Sequence, residues 1–137
     1  MNVLVDTSVW SLALRRAASS HPARQKLEEL ILDGRASIMG PVRQELLSGV
    51  KVLAQFEMLR EKLRAFSDIE LLAEDYEEAA NFFNECRKQG VQGSNTDFLI
   101  CAVAARRALP IFTTDQDFGL YAKFIPISLY VNSEIEK

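Results

Sequence analysis

Hydrophobic and polar positions switch repeatedly between strand-like runs and helical spacing along this chain. Val3, Leu4 and Val5 form a short apolar run that ends at Asp6-Thr7-Ser8, three residue types that open helices, and apolar positions resume over 9–14. The pattern predicts a strand, a turn and a helix. Pro22 fits a first helical position, Ala23, Leu27, Leu30 and Ile31 recur at helical spacing, and Asp33-Gly34 closes that segment. Residues 36–39 predict a second strand, after which Gly40-Pro41 introduces a helix that carries Glu45 and stops at Gly49. Val52, Phe56, Leu59, Leu63 and Phe66 then place one apolar stripe on a helix face, with Leu53 and Met58 beside it. That surplus suits either the core or part of a dimer interface. Residues 69–72 read as a short strand, and Tyr76, Ala79, Ala80, Phe83 and Cys86 as an amphipathic helix ended by Gly90. Ser94 begins a helix whose body, 98–105, is apolar on every side and so belongs against a sheet. The remainder predicts a strand over 111–113, a short helix over 114–123 and a last strand over 127–131.

Strands that alternate with helices long enough to act as crossovers imply an α/β fold: a three-layer sandwich with a mostly parallel sheet flanked by helices. No internal repeat or linker interrupts the chain, so one domain is expected over 1–132, with 133–137 as a short acidic tail. At 137 residues a core can form without disulfides or a structural metal. The two cysteines, Cys86 and Cys101, have no His or Cys cluster around them and read as core residues.

Charge narrows the partners. With 16 Lys and Arg against 19 Asp and Glu, the net charge of -3 supplies no global field for nucleic acid or an anionic membrane, so such a ligand needs a local patch. The longest apolar run, 98–105, falls far short of the roughly 20 residues that cross a bilayer. The opening MNVLVDTS lacks the basic stretch and cleavage site of a signal peptide, so a cytoplasmic location is expected.

In open α/β sheets the ligand crevice lies beyond the carboxyl ends of the strands, and acids gather at those positions here. Asp6 follows the first strand, and Asp115 and Asp117 follow the strand at 111–113; Asp97 stands in the first turn of the apolar helix and Glu45 in the helix after the second strand. Each also has a purely structural explanation. Asp6 suits an N-cap, Ser94 with Asp97 and Thr114 with Asp117 match capping boxes, and Glu45 suits an exposed position near a helix N-terminus. Convergence favours chemistry, because carboxylates forced together raise one another's pKa unless a cation neutralises them. Oxygen donors without His or Cys suit Mg²⁺ or Mn²⁺, hard ions that recruit phosphate oxygens. Other plans fare worse: His21 is the only histidine, and neither G-x-x-x-x-G-K-[ST] nor G-x-G-x-x-G occurs.

Four segments carry a resemblance to a known family. V-L-V-D-T-S at 3–8, R-Q-E-L-L-S-G at 43–49, S-N-T-D-F-L-I-C-A-V-A at 94–104 and I-F-T-T-D-Q-D-F at 111–118 resemble, in order, the four motifs of PIN domains, and more narrowly of VapC-type toxins from bacterial toxin-antitoxin pairs. The resemblance puts the four acids on Asp6, Glu45, Asp97 and Asp115, with Asp117 auxiliary. It implies a Mg²⁺- or Mn²⁺-dependent endoribonuclease acting on a structured RNA such as tRNA, a homodimer, and a cognate antitoxin that occupies the active-site groove. Water attack would leave 5′-phosphate and 3′-hydroxyl ends. Thr7, Ser8 and Thr114 are expected to orient the carboxylates by hydrogen bonds, and Arg15, Arg16 and Arg43 are candidate contacts for RNA phosphates.

Two other functions compete. An aspartyl-phosphate phosphatase would also place V-D-T-S after a strand, but it needs a second acid two residues on, where Ser8 stands. A non-catalytic PIN-fold scaffold for protein binding would keep the fold and bind no metal.

Overall fold

Val3, Leu4 and Val5 are all fully buried, and because successive strand side chains point to opposite faces, both faces of their strand are covered. A computed structural model of the chain describes residues 1–14 and 20–130. Its elements run β1 (Val3–Val5), α1 (Thr7–Ala13), α2 (Pro22–Leu32), β2 (Ala36–Ser37), α3 (Gly40–Leu47), α4 (Leu53–Leu63), α5 (Ala73–Lys88), α6 (Asn95–Arg106), β3 (Ile111–Phe112) and α7 (Asp117–Tyr121). The strands form a parallel sheet in the order β2-β1-β3, with Leu4 opposite both Ser37 and Ile111. This is the expected α/β class with a parallel sheet, in a helix-rich form whose strands are very short. Among the described residues no helix is long and apolar enough to cross a membrane.

Two predicted strands shrink to single bridges. Ile38 pairs with Asp68 and Ile111 with Leu129, both parallel, at the outer edges of β2 and β3. At the first edge Ile69 N donates to Ile38 O at 2.9 Å, but Leu72 N is already claimed by the Asp75 carboxylate at 2.8 Å, which starts α5 at Ala73 and leaves no length for a strand over 69–72. At the second edge Ile111 exchanges bonds with Ser128 and Tyr130, and β3 is itself too short to extend the ladder. Residue 131, Arg15, Arg16 and the tail at 133–137 lie outside the described residues.

The helices form where their apolar spacing and end residues predict. His21 Nδ1 accepts from Ala23 N at 3.0 Å and so caps α2, with Pro22 at the first helical position. In α6 every residue from Phe98 to Ala104 is buried, and the helix packs on α5, where Phe98 meets Phe83 edge to face at 5.6 Å. The stripe on α4 mostly serves the core: Leu63 is buried, and Leu59 and Phe66 pack against the cluster. The exposed apolar surface, Val52, Leu53 and Met58, lies at the start of α4 and beside the stripe.

Two arginine clusters tie the layers together. The Arg43 guanidinium donates to Asp68 Oδ1, Leu63 O and Phe66 O at 2.9, 2.9 and 2.7 Å. It clamps α3 to the segment after α4, so this candidate RNA contact is committed to structure. Arg106 and Arg107, at the end of α6, both reach the fully buried Asp75 of α5, at 2.6 and 2.7 Å. Those guanidinium groups hold the Asp75 carboxyl well below the usual carboxylate range, against the opposing effect of burial. Their position at a helix C-terminus suits helix-dipole compensation, whereas their partner lies about thirty residues away and has no local signal in the sequence.

Candidate active site

Asp6 leaves β1 with its N–H donating to Phe112 O at 2.9 Å, which fixes it at the carboxyl edge of the sheet between β1 and β3. It occupies the N-cap position of α1 yet makes no side-chain capping bond. Its Oδ2 instead accepts from the hydroxyls of Ser8 at 2.9 Å and Thr113 at 2.8 Å. Asp6 is only 5% exposed, and among the described residues no Lys, Arg or His forms an ion pair with it. The contrast with Asp75 is direct. One buried carboxylate has two guanidinium partners and the other has two neutral hydroxyls.

The same hydroxyls organise the loop after β3. Thr113 Oγ1 accepts from Asp115 N at 3.0 Å, Ser8 Oγ accepts from Thr114 N at 3.1 Å, and Asp115 Oδ1 accepts from Asp117 N at 2.9 Å. These bonds tie up residues 114 and 115, and α7 begins at Asp117, with Gln116 rather than Thr114 at the N-cap position, so the predicted capping box does not form. Thr113 therefore performs the orienting role expected of Thr114, which contributes only a main-chain donor. Ser8 donates to Asp6 directly. Thr7 Oγ1 is buried without a hydrogen-bond partner of standard geometry.

Asp97 enters from α6. The Ser94 hydroxyl caps the helix by accepting from Asp97 N at 3.0 Å, but the Asp97 carboxylate does not return the bond: its Oδ2 accepts from the Tyr121 hydroxyl at 2.9 Å. Burial first, and then the charges of Asp6 and Asp115, push the Asp97 carboxyl up, while the Tyr121 bond opposes the rise. Glu45 stands on the exposed side of α3, and its carboxyl is pushed up by partial desolvation and by the charges of Asp6 and Asp97. The nearby Thr7 hydroxyl opposes this. Tyr121, fully buried, is pushed up by burial, by its bond to Asp97 and by the charges of Asp97, Asp117 and Asp115. Cys101, on α6, is pushed up chiefly by burial and is a packed thiol.

Five acids from four parts of the chain thus share one electrostatic neighbourhood. They do not crowd as closely as expected: among the described residues no three His, Cys, Asp or Glu side chains stand close enough together to hold an ion as they are. Asp6, Asp97 and Asp115 are each held by hydrogen bonds of their own, and like charges repel. The donor set still fits a hard dication. It is all carboxylate, no hydrogen bond of standard geometry among the described residues occupies Oδ1 of Asp6 or of Asp97, and the buried Thr7 hydroxyl lies close to Glu45.

Comparison with known proteins agrees with this architecture. The PIN domain profile matches residues 3–123. No curated protein matches the chain. Among solved structures, FitAcB from Neisseria gonorrhoeae superposes with a TM-score of 0.76 at 19% identity, covering 94% of this chain and 96% of its own. VapBC2 from Rickettsia felis, solved bound to a DNA fragment from its promoter, gives 0.77 at 19% identity, covering 95% and 98%. VapBC-5 from Mycobacterium tuberculosis, a member of the VapBC family of toxin-antitoxin systems, gives 0.69 at 20%, covering 96% and 98%. At these identities the structures speak for the fold, while the profile spans most of the chain: this protein belongs to the PIN domain family.

Proposed function

We propose that this chain is a divalent-metal-dependent endoribonuclease, the toxin of a toxin-antitoxin pair, in which Asp6, Glu45, Asp97 and Asp115, with Asp117 auxiliary, hold Mg²⁺ or Mn²⁺. The observation that carries the reading is Asp6, a nearly buried carboxylate that forms no ion pair with a Lys, Arg or His among the described residues and is electrostatically coupled to Glu45 and Asp97. A buried charge without a counter-charge is costly, and a dication resolves it. When bound, the ion lowers the pKa of water and stabilises charge on a phosphodiester in hydrolysis. The chain's own part is to fix the carboxylates: Ser8 and Thr113 immobilise Asp6, and the turn at Asp115 orients its carboxylate through Asp117 N.

The family and the toxin-antitoxin context of the similar structures support a structured RNA such as tRNA as substrate, a cognate antitoxin as inhibitor, a homodimer and a cytoplasmic location. They also support a single nuclease domain over 1–132 with a tail at 133–137. Arg15 and Arg16 are the proposed phosphate contacts; Arg43 is not, because its guanidinium clamps α3. Ser8 donates to Asp6 rather than supplying a second acid, which leaves the phosphatase alternative without support.

The test is incubation of the purified chain with total RNA and Mg²⁺ or Mn²⁺, with and without EDTA, followed by sequencing of fragment ends. Discrete cuts with 5′-phosphate ends, lost in EDTA, are expected; 2′,3′-cyclic phosphate ends would overturn the mechanism.

A further inference from the structure

Tyr121 stands three residues after Phe118 on α7, and its ring packs at 5.3 Å from Phe118 and 4.8 Å from Phe98. Its hydroxyl has a different task. It is fully buried under α6 and donates to Asp97 Oδ2 at 2.9 Å, across 24 residues of sequence. Space for that hydroxyl comes from Gly93, in the loop before α6. A Cβ at Gly93 would overlap Tyr121 Oη and stand 2.8 Å from Cζ and 3.0 Å from Phe98 Cε2. The backbone at Gly93 is not in the left-handed region, so its lack of a side chain serves the close approach rather than a turn.

We infer that Tyr121 is a positioning residue for the metal site: from beneath, its hydroxyl fixes one oxygen of Asp97 and leaves Oδ1 to face the cation, and Gly93 is the glycine that admits it. The inference rests on the proposed metal-nuclease reading and adds two residues to it. Asp6 is held the same way, by hydroxyls on Oδ2, so two of the acids share one device. A carboxylate on a short side chain rotates freely unless its other oxygen is bonded, and loss of such an orienting partner typically costs about 10–100-fold in metal affinity or activity.

The test is Mn²⁺ titration followed by electron paramagnetic resonance on the wild type, Tyr121→Phe, Gly93→Ala and the double variant, with thermal melting of each. Tyr121→Phe keeps the ring and its packing, so its melting temperature should stay close to wild type while Mn²⁺ binds about 10–100-fold more weakly. Gly93→Ala should weaken binding by displacing the hydroxyl, and the double variant should bind no more weakly than the poorer single variant, because both changes remove one bond. Tyr121→Phe with wild-type Mn²⁺ affinity overturns the inference, as does a double variant whose loss is the product of the two single losses. Wild type that binds no Mn²⁺ instead overturns the metal-nuclease reading, and this inference with it.

Discussion

Thr113 and Asp6 lie 107 residues apart in sequence, and the hydroxyl of one donates to the carboxylate of the other at 2.8 Å. That bond joins the ends of β1 and β3. The same hydroxyl accepts from Asp115 N, so a single side chain sets both acids. Thr113→Val keeps the shape and removes the hydroxyl. Metal-dependent cleavage should fall about 10–100-fold. Thr114→Val, which alters a side chain with no such bond, should cleave within about twofold of wild type. Parallel cleavage assays on the two variants check this, and equal losses would contradict it.

Asp75 gives the chain a titratable brace. Asp75→Asn leaves two guanidinium groups facing a neutral partner and should destabilise the fold by about 3 kcal/mol at pH 7. The folded carboxyl titrates below the usual carboxylate range, so its contribution is fully present above about pH 4, the unfolded value. Below that pH the unfolded chain takes up a proton that the folded chain refuses, and the contribution drains away as pH falls through the folded value. Urea midpoints for wild type and Asp75→Asn should therefore differ more at pH 7 than at pH 3.

Mutual repulsion among the site acids predicts a trade between stability and binding. Asp97 is raised by burial and by its acidic neighbours, so its ionised form opposes folding at neutral pH. In EDTA, Asp97→Asn should melt above wild type. Adding Mn²⁺ at about 100 times its dissociation constant should stabilise wild type by roughly 2.7 kcal/mol, about 10 °C for a chain of this size, and, with affinity weakened at least tenfold, shift Asp97→Asn by no more than about half as much. Differential scanning fluorimetry with and without Mn²⁺ reads both effects.

Much of this arrangement is legible in the sequence, and the illegible parts share a cause. The helices follow from local periodicity and end residues such as Pro22 and Ser94, and the candidate acids are read from their places after strands, for Asp6, Asp115 and Asp117, or within helices, for Glu45 and Asp97. Short edges do not: 69–72 has strand character, yet the Asp75 carboxylate captures Leu72 N and begins a helix. Which of Thr113 and Thr114 faces Asp6 depends on where β3 ends, a matter of register rather than residue type. Tyr121 has core spacing, and nothing local distinguishes a phenol that meets an acid from one that only packs. Arg43 suits RNA or solvent equally, and Arg106 the end of a helix dipole, until Asp68 and Asp75 are found beside them.

The most direct test of the central claim, that acids from separate elements form one divalent-cation site, is Mn²⁺ titration calorimetry on wild type beside Asp6→Asn, Asp97→Asn and Asp115→Asn. Saturable binding in wild type, weakened at least tenfold by each single change while all four proteins remain folded, is the predicted result. Wild-type protein that is folded and binds no Mn²⁺, or substitutions that leave the affinity intact, would contradict it.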